Sequence, residues 1–272
     1  MLGILIKPKY LLGHILILLI ALTCFLLSSW QFSRLDQRKA LNSKISSRME
    51  ANQNSLSKLG NGYDKELNDI DFIKENEYRR VVIKGKYKKE GSVLILGRSY
   101  DGDPGYNIMT PFETEINNLQ KIIYINVGFI PTTLGEAISF DDTPISEAFS
   151  KIGDGKEYSI EGLLMRNESK SLFGSDKQIK PNKTTNRIDI NTFKKRIGRI
   201  EPYSLTSTFW VQLIKYQNSQ SPERYPEALR LPELSEKNHF SYALQWTFFG
   251  FVAIITWIII CIKAAKSPRV KS

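Results

Sequence analysis

The sequence predicts an integral membrane protein in which two transmembrane helices flank a mainly β exported domain, a small barrel or sandwich with a minor helix. Three observations predict this. Residues 10–29 and 241–262 are uncharged runs of 20 and 22 residues, and roughly 20 helical residues at ~1.5 Å each cross a ~30 Å bilayer core. Between them, β-rich runs recur, separated by Gly, Asn, Asp and Pro turns. All 28 acids lie between Asp36 and Glu236, which leaves only bases at the two ends.

The first apolar run, with Lys7 and Lys9 before it, also resembles a secretory signal. It is long for one, and no small-x-small cleavage site precedes Trp30. An uncleaved anchor is therefore expected. Orientation follows from the excess of bases on the non-exported side. The tail 263–272 has four bases and no acid, so both termini, 1–9 and 263–272, are expected in the cytoplasm. The cluster Arg34, Arg38, Lys39, Lys44 and Arg48 argues the other way, but a loop this long translocates largely regardless of charge. The expected location is the bacterial inner membrane, or the mitochondrial inner membrane in a eukaryote. Residues 30–240 then form the exported domain. Residues 31–238 carry 32 bases and 28 acids, a net +4 of the chain's +10. The excess therefore reports topology and does not point to nucleic acid. Both cysteines, Cys24 and Cys261, lie within the spans, so the exported domain has neither a disulfide nor a Cys metal site.

Within the exported domain, residues 31–50 continue the first span with helical spacing, and 51–70 read as loop. Strands are expected at Tyr78–Tyr87, Val93–Arg98, Tyr106–Phe112, Lys121–Phe129, Tyr158–Met165 and Phe209–Tyr216. Asp101-Gly102-Asp103-Pro104-Gly105 and Asn117-Asn118 are turn signals. One helix is expected within Asn186–Ile200, and residues 167–187 and 217–237 read as loops.

Common catalytic signatures are missing. There is no phosphate-binding Gly loop, H-E-x-x-H, C-x-x-C or G-x-S-x-G. No histidine lies between His14 and His239, which removes the commonest general base and metal ligand from the domain. Carboxylate pairs such as Asp141-Asp142 are ordinary surface features. A non-enzyme is expected.

Three separated blocks carry a resemblance. The first is Trp30-Gln31-Phe32-Ser33-Arg34-Leu35 at the exit of the first span. The second comprises Glu77-Tyr78-Arg79-Arg80-Val81, Gly97-Arg98-Ser99-Tyr100, Gly105-Tyr106, Thr110-Pro111-Phe112 and Asn126-Val127-Gly128-Phe129-Ile130-Pro131. The third is Asn238-His239-Phe240-Ser241-Tyr242-Ala243-Leu244-Gln245-Trp246. In this order and topology the chain resembles the surfeit locus protein one family. The family pattern has Arg and Trp where this chain has Val127 and Phe129. The resemblance implies an assembly factor for haem-copper cytochrome c oxidase that, in bacteria, binds haem a. Its implied partners are the large haem-bearing oxidase subunit, the haem a synthesis enzymes and membrane lipid.

Within that resemblance His239 is the expected iron ligand, placed just before the second span. At ~100° per residue, Tyr242, Ala243, Trp246, Gly250, Ala253 and Trp257 share its side of the helix. That stripe suits a flat ring beside an axial imidazole; it equally suits interfacial aromatics and helix packing. Trp30 could cover the ring and Arg34 or Arg38 could pair with propionates, or they form an aromatic belt with snorkelling bases. His14 lies toward the opposite membrane face and reads as a packing or interface residue. Around the turn, Arg98, Tyr100, Gly105 and Tyr106 are either a partner-binding loop or backbone geometry. The functional expectation is haem a binding near the exported face and delivery to the large oxidase subunit. The alternatives are a cofactor-free scaffold for an oxidase intermediate and an unrelated small-molecule-binding domain.

Overall fold

In the computed structural model, residues 8–51, 54–59, 70–134, 155–169, 184–193, 204–217, 226–231, 234–236 and 238–266 are described. The chain divides into two units, Met1–Ser46 with Glu233–Ser272, and Ser47–Pro232.

The first unit is a helix pair. Helix α1 runs Pro8–Glu50 and the last helix, α5, runs His239–Lys266. Each is long and apolar enough to cross a membrane, and only 17% and 6% of their most apolar stretches are buried. A core helix of a soluble protein would be mostly covered. Here Leu12, Leu18 and Phe248 stay more than half exposed, as lipid-facing side chains do. The helices pair antiparallel. Ala21, Cys24 and Ser28 form a buried stripe on α1, facing Ala243 and Gly250 of α5. Ser28 Oγ donates to Ala243 O at 3.0 Å and lies 2.7 Å from Thr247 Oγ1. Small residues let the backbones approach, and the hydroxyls find partners where no water is available.

The second unit is β. Short segments come first: β1 (Asn54–Ser55), α2 (Leu56–Leu59) and α3 (Ile70–Asn76). Then follow β2 (Arg80–Tyr87), β3 (Val93–Tyr100), β4 (Asp103–Ile116), β5 (Leu119–Pro131), a 3₁₀ turn at Thr132–Leu134 and β6 (Tyr158–Arg166). The rest are β7 (Thr184–Thr185), α4 (Ile190–Phe193), β8 (Ser204–Leu205) and β9 (Phe209–Tyr216). Neighbours run β1-β2-β6-β9-β5-β4-β3-β7, and a further β2–β4 pairing closes β2, β6, β9, β5 and β4 into a barrel. Of the two architectures expected, the barrel is the one formed. β4 makes the closure: its first half pairs with β3 from Asp103 to Met109, and Phe112–Thr114 pair with β2. Pro111, which has no N–H for a ladder, lies where β4 changes neighbour.

Both faces of β5 are buried, which explains its near-continuous apolar run. Ile123 and Ile125 join one core cluster with Phe112, Ile160 and Val211. Ile122 and Tyr124 join a second with Met109, Ile190, Phe193 and Trp210. The hairpins at Asp101-Gly102 and Asn117-Asn118 are two-residue turns whose four residues all have positive φ, the backbone that matches strand twist.

Several expectations need adjustment; the loop expected at 167–187 holds β7. The stretch 51–70 holds β1, α2 and the first residue of α3, because Leu56 is buried in the core despite its polar surroundings. Strand β2 begins at Arg80, because Tyr78 takes a positive φ of 67°. The helix expected within Asn186–Ile200 covers Ile190–Phe193, and residues 194–200 lie outside the described residues.

Candidate functional site

His239 opens α5, and its place is set by the helix pairing. Its Nδ1 lies 2.8 Å from Gln31 Oε1 on α1. An amide oxygen only accepts, so in the neutral tautomer that donates to it from Nδ1 the ring keeps a lone pair on Nε2. Metal-binding histidines take the same arrangement, with the second nitrogen donating to a fixed partner. The imidazole borders a cleft of about 270 Å³ lined by Arg34, Gln37, Arg38, Leu41 and His239. Arg34 donates to Gln37 Oε1 at 3.0 Å, and its guanidinium lies 5.8 Å from the centre of the Trp30 ring. Trp30 itself is half exposed.

The stripe on α5 divides into two roles. Ala243, Gly250 and Trp257 face α1: a Cβ at Gly250 would lie 3.0 Å from the Phe25 ring. Tyr242 is 49% exposed, and Trp246 meets Phe249 edge-on at 6.2 Å. Ala243 and Gly250, on His239's side of the helix, are therefore taken by the neighbouring helix, while Tyr242 flanks it outside. His14 lies at the other end of the pair, bonded to Trp257. The helix pair thus brings His239, Arg34 and Arg38 to one cleft; Trp30 stands one turn from Arg34.

In the β unit, Arg98 forms a salt bridge with Glu168, its Nη2 donating to both carboxylate oxygens at 2.8 and 2.9 Å. Tyr100 packs on Phe129 at 5.6 Å and lies under Arg230, which grips Asp101 at 2.9 and 2.7 Å. Tyr106 is buried in the first core cluster, so it is a packing residue and not part of a surface loop. Among the described residues no group of three or more His, Cys, Asp or Glu side chains is placed to share a metal ion.

Sequence reasoning missed Gln31 as the partner of His239. The signal was present: Gln31 is a polar residue at the exit of the first span, as His239 is at the entry of the second.

The SURF1 family matches residues 18–251, most of the chain and all of this cleft. The chain belongs to the SURF1 family. A SURF1-like protein of Dictyostelium discoideum is 32% identical over 103 residues, a stretch that spans 37% of this chain and 37% of that relative. In this SURF1 protein the matched span includes His239, Gln31, Arg34 and Arg38; His14 lies outside it.

Proposed function

We propose that this protein is a non-enzymatic assembly factor for haem-copper cytochrome c oxidase. It would hold haem a near the exported membrane face and aid its insertion into the large oxidase subunit. SURF1 membership supports the oxidase role. The observation that carries the haem reading is the His239–Gln31 contact, which leaves Nε2 free to bind a metal. Bound haem would supply an iron that the His239 imidazole would hold. Arg34 and Arg38 line the same cleft and match propionate carboxylates in shape and charge. Tyr242 and Trp30 would border the ring.

The cleft, about 270 Å³, is smaller than the ~300–1,000 Å³ sites that enclose a ligand. A macrocycle there would lie largely at an open face, as delivery to a second protein requires. Both termini would be cytoplasmic, and the membrane would be the inner membrane of a bacterium or mitochondrion. The haem a synthesis enzymes would supply the cargo, and membrane lipid would surround the helices.

A cofactor-free scaffold would dock on oxidase helices through the small-residue face of α5, but Ala243 and Gly250 of that face pack on α1 of the same chain. In cells lacking this protein, the wild-type gene should restore haem a and oxidase activity, and His239→Ala should restore little of either. Full rescue by His239→Ala would remove the haem role and leave the scaffold.

A further inference from the structure

The β unit contains a second cleft, of about 730 Å³, that the haem reading does not use. Its volume lies in the ~300–1,000 Å³ range of ligand sites. Four side-chain amides line it: Asn167, directly after β6, and three from strands, Asn107 on β4, Asn126 on β5 and Gln212 on β9. Asn126 stands opposite both Met109 and Gln212 in the ladders, and Asn107 is two residues from Met109. The three strand amides therefore share one face of the sheet. They are 8%, 1% and 8% exposed, in strands that are otherwise mostly apolar. A buried amide is costly unless it is matched.

Three of the four amides are matched: Asn167 Nδ2 donates to Ser207 O at 2.8 Å, and two of the strand amides also have partners. Gly128 N donates to Asn126 Oδ1, and Gln212 Nε2 donates to Arg230 O, each at 3.3 Å. Among the described residues Asn107 Oδ1 has no hydrogen-bond partner, and neither has the buried Nε of Arg98, which lines the same cleft. One lacks a donor and the other lacks an acceptor. At the rim, Tyr78 holds a positive φ of 67°, pinned by its N–H to Leu164 O at 2.8 Å. Backbone strain of this kind in a bulky residue gathers at binding sites.

The surroundings narrow the ligand class. Arg98 and Arg166 are already paired, with Glu168 and Glu77, so a free anion gains little. Trp210 is 5% exposed and offers no open face for a sugar or base to stack on. No His or Cys lines the cleft. What is offered is amide-type hydrogen bonding beside the apolar Ile188 and Met165. A peptide unit carries one N–H and one C=O, the two groups missing here.

We propose that this cleft binds an extended peptide segment of another protein, Asn107 Oδ1 accepting a backbone N–H and Arg98 Nε donating to a backbone C=O. Every residue in it belongs to the β unit, so the proposal stands without the haem reading.

The test uses the intact protein in detergent, immobilised and panned against a display library of random decapeptides. Asn107→Leu, close in shape, removes the acceptor; Arg98→Lys keeps a cation for Glu168 and removes Nε. The expected result is a shared consensus among recovered peptides. A synthetic peptide of that consensus should bind wild type and bind either variant at least tenfold more weakly. Asn107→Leu should also unfold at a temperature a few degrees higher, since an unmatched buried oxygen is gone. Recovery of no consensus, or equal binding to wild type and both variants, would overturn the proposal. So would a lower unfolding temperature for Asn107→Leu, which would mean that the chain itself satisfies that oxygen.

Discussion

Trp257 Nε1 donates a hydrogen bond to His14 Nδ1 at 2.7 Å, and the two rings meet edge-on with centroids 5.3 Å apart. A nitrogen that accepts carries no proton, so the His14 proton is on Nε2. The bond satisfies two polar groups inside an apolar span, where an unmatched one is costly. The two histidines thus have different settings: His14 is held by Trp257, and His239 by Gln31.

Trp257→Phe keeps most of the ring and removes the donor. It should weaken helix pairing by about 0.6–2 kcal/mol, the range for hydrogen bonds between membrane helices. Unfolding in detergent, followed by fluorescence transfer between labels on the two helices, measures this. Haem a content should not change, because the contact lies at the other end of the pair.

A tyrosine cluster makes the β unit sensitive to alkali. Tyr87 donates to Tyr216 at 3.4 Å, and both rings pack with Tyr158. Burial pushes the Tyr216 phenol up to about 12 and raises Tyr87 well above its ordinary range. The folded state therefore holds these protons more tightly than the unfolded chain, whose tyrosines titrate near ~10. Their contribution is complete below that pH and is lost as pH rises toward about 12, with a slope near 1.4 kcal/mol per pH unit for each group. Denaturant unfolding between pH 9 and pH 12 should show this decline, and Tyr216→Phe should make it shallower.

Gly128 has φ +140°, and a Cβ there would collide with the backbone of Glu227. Phe129 and Glu227 exchange two backbone bonds at 2.8 and 2.9 Å across this glycine. Gly128→Ala should cost on the order of 1–3 kcal/mol and release the segment at 226–230. Limited proteolysis should then cut near Arg230 faster than in wild type, with the barrel fragment persisting.

Much of the barrel was legible from β-rich runs bounded by turn residues. Strand β9 matches its expected bounds, and β6 runs one residue further, to Arg166. β4 and β5 extend beyond expectation because two-residue turns let the strands run almost to their ends. β1, β7 and β8 are two residues each, too short to show any period. α3 escaped notice because Ile73 and Asn76 are its buried residues within a polar stretch.

The helix-end site was partly legible, since His239 and Arg34 lie beside apolar runs. The packing of Ala243 and Gly250 on α1 was one of two readings that the stripe allowed, and only tertiary contacts separate them. The amide cleft was not recognised, because Asn107, Asn126 and Gln212 meet only through the pairing of three strands. Its one local signal is an amide within an apolar run, as in Ile125-Asn126-Val127 and Val211-Gln212-Leu213.

The optical spectrum of the purified protein tests the central claim most directly. It should be co-expressed with the haem a synthesis enzymes and isolated in mild detergent beside His239→Ala and Gln31→Leu. Wild type should carry the absorption bands of haem a, and His239→Ala should lose them. Gln31→Leu should retain haem about 10–100-fold more weakly, as loss of a partner behind a metal ligand does. A colourless wild type, or a His239→Ala protein with unchanged haem, would contradict the account.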